Sequence, residues 1–176
     1  GTFPNDTNVK NYNHGMFQSV YDYPFLSSSA NHIFDLTVGV GAGSALYANV
    51  TSQKSKKKNI YNQMAQVLVG FDVTGDVLQF DQDGDFVAGG QKYNDGYFIN
   101  LARLLTKDEI KKETFEMKLG VNQDFADPFS KVVTITDLNA STEYRVNSPV
   151  GEYGILYGTG SSIFDAGAVD SNGFAK

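Results

Sequence analysis

The stretch TFEMKLGV, Thr114 to Val121, alternates apolar and charged side chains. Phe115, Met117 and Leu119 fall on one side, Glu116 and Lys118 on the other. A period of two is the signature of a half-buried β-strand. HIFDLTVGV, His32 to Val40, repeats it, with Phe34, Leu36, Val38 and Val40 opposite Ile33, Asp35, Thr37 and Gly39. KVVTITDL, STEYRVN and GEYGILYG continue the pattern. GYFINLARLL, Gly96 to Leu105, reads as an apolar strand, and FDVTGDVLQF as two short strands around Thr74-Gly75-Asp76. Turn formers separate these runs at intervals of about ten to fifteen residues, which predicts a mainly β fold of the β-sandwich or jelly-roll-like kind.

One segment breaks the rule. In NIYNQMAQVLVG, Asn59 to Gly70, residues Ile60, Met64, Val67 and Leu68 form an apolar stripe that Tyr61 and Ala65 broaden. This predicts a helix near 56–69, with Ser55 as N-cap and Gly70 as the stop. Thr106 and Glu109 make a capping box, predicting a short helical turn near 106–112. The first 35 residues are polar and aromatic without a clear period, and Pro24 forbids a helix there. They read as an extended aromatic arm over 1–35, followed by one β-rich domain over 36–176. An irregular stretch this long makes sense if it packs on a neighbouring subunit. The chain starts at Gly1 without Met and its tail, GSSIFDAGAVDSNGFAK, stops in mid-pattern, so the expectation is that the natural protein extends further.

Composition removes function classes. The chain has 176 residues and no cysteine, which excludes disulfides, thiolate metal sites and a cysteine nucleophile. No apolar run approaches the roughly 20 residues a membrane-spanning helix needs. Residues 1–60 carry five Lys and three Asp (+2); residues 61–176 carry nine Lys or Arg and 17 Asp or Glu (−8), giving the net −6. An acidic body does not attract nucleic acid. The one basic cluster, KSKKKN at 54–59, reads as a solvated run leading into the helix.

No motif commits the chain to chemistry. GVGAGS, Gly39 to Ser44, lacks the lysine of a phosphate loop and the spacing of a dinucleotide fold. No GxSxG elbow is present. His14 and His32 have no partner at metal-ligand spacing. FDQDGDFVAGG, Phe80 to Gly90, fits an EF-hand in neither frame: started at Asp81, its sixth position is Phe86 and its twelfth Lys92. It reads as an acidic turn between strands. A calcium site of another kind, using Asp81, Asp83 and Asp85, is the alternative. No other cofactor and no catalytic residue is expected.

NYNHGMFQSVYDYPFLSSSANHIFDLTVG, KKNIYNQMAQVLVGFD, FINLARLLTKDEIKKETFEMKLG and NSPVGEYGILYG stand in this order over about two thirds of the chain. In these segments the sequence resembles a family of virion structural proteins from contractile-tailed phages of marine cyanobacteria and related bacteria. The resemblance implies a non-enzymatic capsid, neck or tail component, located in the virion after assembly in the host cytoplasm. Its partners would be itself or other virion proteins, not nucleic acid or membrane. Tyr12, Phe17, Tyr21, Tyr23 and Phe25 of the arm are the expected interface. The rival expectation is a carbohydrate-binding or host-recognition module, for which two or three exposed aromatics would have to be coplanar on one sheet face, with Tyr93, Tyr97, Tyr144 and Tyr153 as the candidates.

Overall fold

The computed structural model describes residues 6–47, 52–82, 84–87, 89–101, 110–120 and 132–159. The fold is mainly β, with antiparallel sheets and one helix among the described residues. The chain divides into two compact units, Gly1–Leu104 and Leu105–Lys176, where the sequence predicts one domain after residue 35.

The first unit holds a four-stranded sheet. Strands β1 (Val9–Asn11), β2 (Gln18–Tyr21), β3 (His32–Val40) and β4 (Asp95–Asn100) lie in chain order, each antiparallel to the next. The predicted boundary at residue 35 falls inside β3, and the predicted arm supplies β1 and β2 of the same sheet. Its strands are three and four residues long, too short to show a period of their own. The register pairs Gln18 with Leu36, Val20 with Phe34, Leu36 with Ile99 and Val38 with Tyr97. Directly opposed residues share a face, so these make one side of the sheet. Ser19, Asp35, Thr37, Gly39, Gly96 and Phe98 make the other.

Helix α1 (Ser52–Leu68) covers that second side and packs on β3. It starts three residues before the predicted cap, so Ser55 lies within it. Ile60, Tyr61, Ala65 and Val69 are buried, whereas Val67 is 56% exposed. The buried stripe is therefore rotated from the expected one toward its smallest member, Ala65. Glycine in β3 explains the rotation: a Cβ at Gly39 would stand 2.8 Å from Tyr61 Cα and 2.8 Å from Phe98 Cε2. Helix and sheet approach this closely only because position 39 has no side chain. Tyr61 meets Phe80 edge-on at 5.5 Å, and Phe80 meets Phe98 at 5.6 Å, closing the core beneath α1. Gly70 ends the helix as predicted, at φ +96°. The two strands expected in FDVTGDVLQF reduce to one bridge, Phe71 to Val77. The strand expected over Gly96 to Leu105 ends at Asn100.

The second unit has a three-stranded sheet of β5 (Glu116–Gly120), β6 (Val132–Thr136) and β9 (Tyr157–Thr159), in the order β5-β6-β9. A separate hairpin joins β7 (Tyr144–Ser148) to β8 (Gly151–Gly154). Met117 and Phe115 are half-buried as the alternation predicts, while Leu119 is exposed. The buried Asp137 accepts the backbone N–H of Glu113 and of Phe115, each at 2.9 Å, and so fixes the approach to β5. Glu113 takes a left-handed φ of 66° in that turn. Residues 106–109 of the predicted helical turn lie outside the described residues; Lys112 and Glu113 form a turn.

Candidate interaction surface

The five aromatic residues of the predicted interface fall into two clusters. In the β1–β2 connection, Tyr12 stacks on His14 at 5.1 Å with planes 7° apart, and Phe17 tilts against both at 5.1 and 5.0 Å. His14 Nδ1 accepts the Met16 N–H at 3.0 Å, so the neutral ring carries its proton on Nε2. The basic run completes this corner. Lys56 Nζ donates to His14 O at 2.5 Å, Lys57 Nζ to Met16 O at 3.3 Å, and Lys58 sits 3.5 Å from the centre of the Tyr47 ring. These lysines are not a merely solvated run. They bridge 41 and 42 residues of sequence to turn carbonyls, and burial lowers the Lys57 pKa.

The second cluster is a clasped loop after β2. Asn31 N–H and Nδ2 donate to the two oxygens of Asp22 at 2.7 and 2.9 Å, and Asp22 N–H donates back to Asn31 O at 3.1 Å. The Asn31 side-chain amide, then its backbone N–H, hold the Asp22 carboxyl below its ordinary pKa. Phe25 N–H donates to Thr7 O at 2.9 Å, and Tyr21 packs against Phe25 and His32. Inside this frame Tyr23 is 58% exposed and Leu26 is 88% exposed. Leu26 is not a sequence candidate; its signal is an apolar side chain two positions after Pro24, directly ahead of three serines.

A polar chain ties the strands behind these clusters. Tyr12 Oη and Ser19 Oγ lie 3.2 Å apart, and Ser19 Oγ donates to Asp35 Oδ1 at 2.6 Å. His32 Nε2 meets the same Oδ1 at 2.8 Å. Serine and histidine both address the carboxylate, whereas a nucleophile–base pair needs the imidazole on the hydroxyl.

The DQDGD loop carries its own cation. Lys92 Nζ forms an ion pair with Asp81 Oδ2 and donates to Val87 O at 2.6 Å. Asp81 is buried and bridges to Lys92 across the loop ends. Asp85 Oδ1 accepts the Val87 N–H at 2.9 Å. Asp83 lies outside the described residues. Among the described residues no three His, Asp or Glu side chains converge as a metal site. The Gly-rich GVGAGS is explained by packing: a Cβ at Gly41 would meet Tyr61 at 2.9 Å, and one at Gly43 would meet Asn94 at 2.5 Å.

Two candidates of the carbohydrate reading, Tyr144 and Tyr153, do not share a face. Tyr144 pairs with Gly154 and Arg145 with Tyr153, so Tyr144 and Tyr153 lie on opposite faces of their hairpin. Tyr144 lies under Lys112 Nζ at 4.9 Å. Tyr93 and Tyr97 belong to the other unit. Burial raises the Tyr153 pKa, and a hydrogen bond to Glu143 raises that of Tyr157. No family model matches the chain, and no curated protein or solved structure is significantly similar to it.

Proposed function

We propose that this chain is a structural part of a phage particle that works through subunit contacts rather than catalysis. The observation that carries the reading is the clasped loop. The Asp22–Asn31 hydrogen bonds hold a short frame that presents Tyr23 and Leu26 to solvent. Apolar anchors on a preorganised loop lose little entropy on docking, which suits a permanent assembly contact. The segments that resemble contractile-tailed phage virion proteins supply the setting: a virion assembled in host cytoplasm, with this chain or other virion proteins as partner. The carbohydrate-binding reading draws less support, because Tyr144 and Tyr153 point to opposite sides of their hairpin.

The test is location. Antibody raised against the chain is applied to purified marine phage particles whose genome encodes it. Gold labelling at one fixed place on the particle is the expected result. Protein found only in the soluble lysate, with unlabelled particles, overturns the proposal.

A further inference from the structure

Edge strands expose unpaired backbone groups, and proteins ordinarily blunt them with charge, proline or brevity. The described edges follow that rule with one exception. β1 has three residues with Lys10 at its centre, and β9 has three residues. β5 carries Glu116 and Lys118, β7 carries Arg145 and β8 carries Glu152. β4 is six residues long, DGYFIN, with no lysine, arginine, glutamate or proline, and its one charge is Asp95 at the end. Among the described residues its strand partner is β3 alone. Tyr97, in the middle of the strand, is 79% exposed and Ile99 is 38% exposed.

We infer that β4 pairs antiparallel with β4 of a second copy, joining two four-stranded sheets into one of eight. This rests on the assembly reading above and narrows it to one contact. The strand is complementary to itself. A two-fold axis perpendicular to the sheet keeps like faces together and therefore passes midway between one residue and the same residue of the second copy. Centred on Phe98, it aligns all of 95–101. Tyr97 then stands opposite Ile99 of the second copy, twice, an aromatic–β-branched pair that sheets favour. Gly96 stands opposite Asn100, and Asp95 opposite Leu101. No like charges face each other, although each chain carries a net −6. The pairing adds backbone hydrogen bonds along an edge that six residues of this composition leave unprotected.

The absence of cysteine makes the register directly testable. An equimolar mixture of Tyr97→Cys and Ile99→Cys proteins is mildly oxidised. A mixed disulfide forms in the mixture and far less in either variant alone. In light scattering the unmodified protein is a dimer at tens of micromolar, and Tyr97→Lys weakens it by roughly tenfold or more. Tyr97 is exposed enough that the circular dichroism of this variant stays unchanged. A monomer at every concentration overturns the inference, as does a mixture that gives no mixed disulfide. A dimer whose mass Tyr97→Lys leaves alone overturns it too, while the assembly reading stands. Unlabelled particles sink the assembly reading without touching the disulfide result.

Discussion

Replacing Gly39 with alanine probes how α1 is seated. The added Cβ would stand 2.8 Å from Tyr61 Cα, 2.9 Å from Tyr61 Cβ and 2.8 Å from Phe98 Cε2. Carbon atoms pack best at about 3.5–4.0 Å, so the methyl overlaps on two sides by roughly an ångström. The ring of Phe98 can turn aside. Tyr61 Cα is helix backbone, and moving it lifts α1 and loosens the Tyr61–Phe80–Phe98 core. Overpacking of this kind costs about 1–3 kcal/mol. Against it, alanine restricts the unfolded chain and returns roughly 0.4–1 kcal/mol. The steric cost wins, with a net loss of about 1–2 kcal/mol. For a unit of this size that is a drop in Tm of roughly 5–15 °C. Urea unfolding followed by far-ultraviolet circular dichroism measures it. Gly96→Ala is the control: its Cβ would meet the Phe98 ring at 3.2 Å and no helix backbone, so it costs less than half as much. A neutral Gly39→Ala, or equal losses for the two variants, would refute the account.

Four further outcomes follow from the polar groups. Asp137→Ala leaves the amides of Glu113 and Phe115 without their acceptor and should cost about 2–4 kcal/mol in denaturant unfolding. Lys92→Met removes the ammonium from the buried Asp81 and should cost about 2–4 kcal/mol, with Asp81→Asn in the same chain recovering part of it. With Lys92 in place, millimolar calcium should leave the melting temperature of the unmodified protein unchanged, and a rise of several degrees would restore the loop as a cation site. The Asp22 carboxyl is held below its unfolded pKa, so its contribution is present above about pH 4 and is lost as pH falls through the folded value. Asn31→Ala should shrink that part of the acid unfolding limb; an identical limb in both proteins counts against the clasp.

The mainly β class was legible because HIFDLTVGV and TFEMKLGV alternate with a period of two, written residue by residue, although β3 is half-buried on both sides and Leu119 is exposed. The helix was legible in kind but not in orientation. Its expected stripe counted Val67 and Leu68 for hydrophobicity, whereas Gly39 lets the helix approach β3 closely at Tyr61. That allowance belongs to a residue 22 positions away and to no periodicity within the helix. The same holds for the lysines, whose acceptors are carbonyls more than 40 residues earlier. The first 35 residues hid their strands because β1 and β2 are short and owe their conformation to pairing with β3. The aromatic interface candidates were visible as a composition. The Asp22–Asn31 clasp that sorts Tyr23 and Leu26 outward from Tyr21 and Phe25 was not, since it depends on two loop ends meeting. DQDGD shows its acidic spacing as a local pattern, while the lysine that pairs with Asp81, Lys92, sits across the loop and could not be read from that spacing.

The order of the sheet also sets a schedule. β3 meets β2 across a short connection, but Val40 and Asp95 are 55 positions apart and Asp35 and Asn100 are 65. At a synthesis rate of roughly 5–20 residues per second, β3 emerges several seconds before the strand that will border it. During that interval its apolar edge is exposed on a growing chain. Helix α1 is made within it, and local helix formation takes microseconds or less. By settling on Gly39 through Tyr61, α1 can shield one side of β3 while the ribosome is still producing β4. The glycine that fixes how closely the finished helix packs thus also sets how early the unfinished sheet is protected.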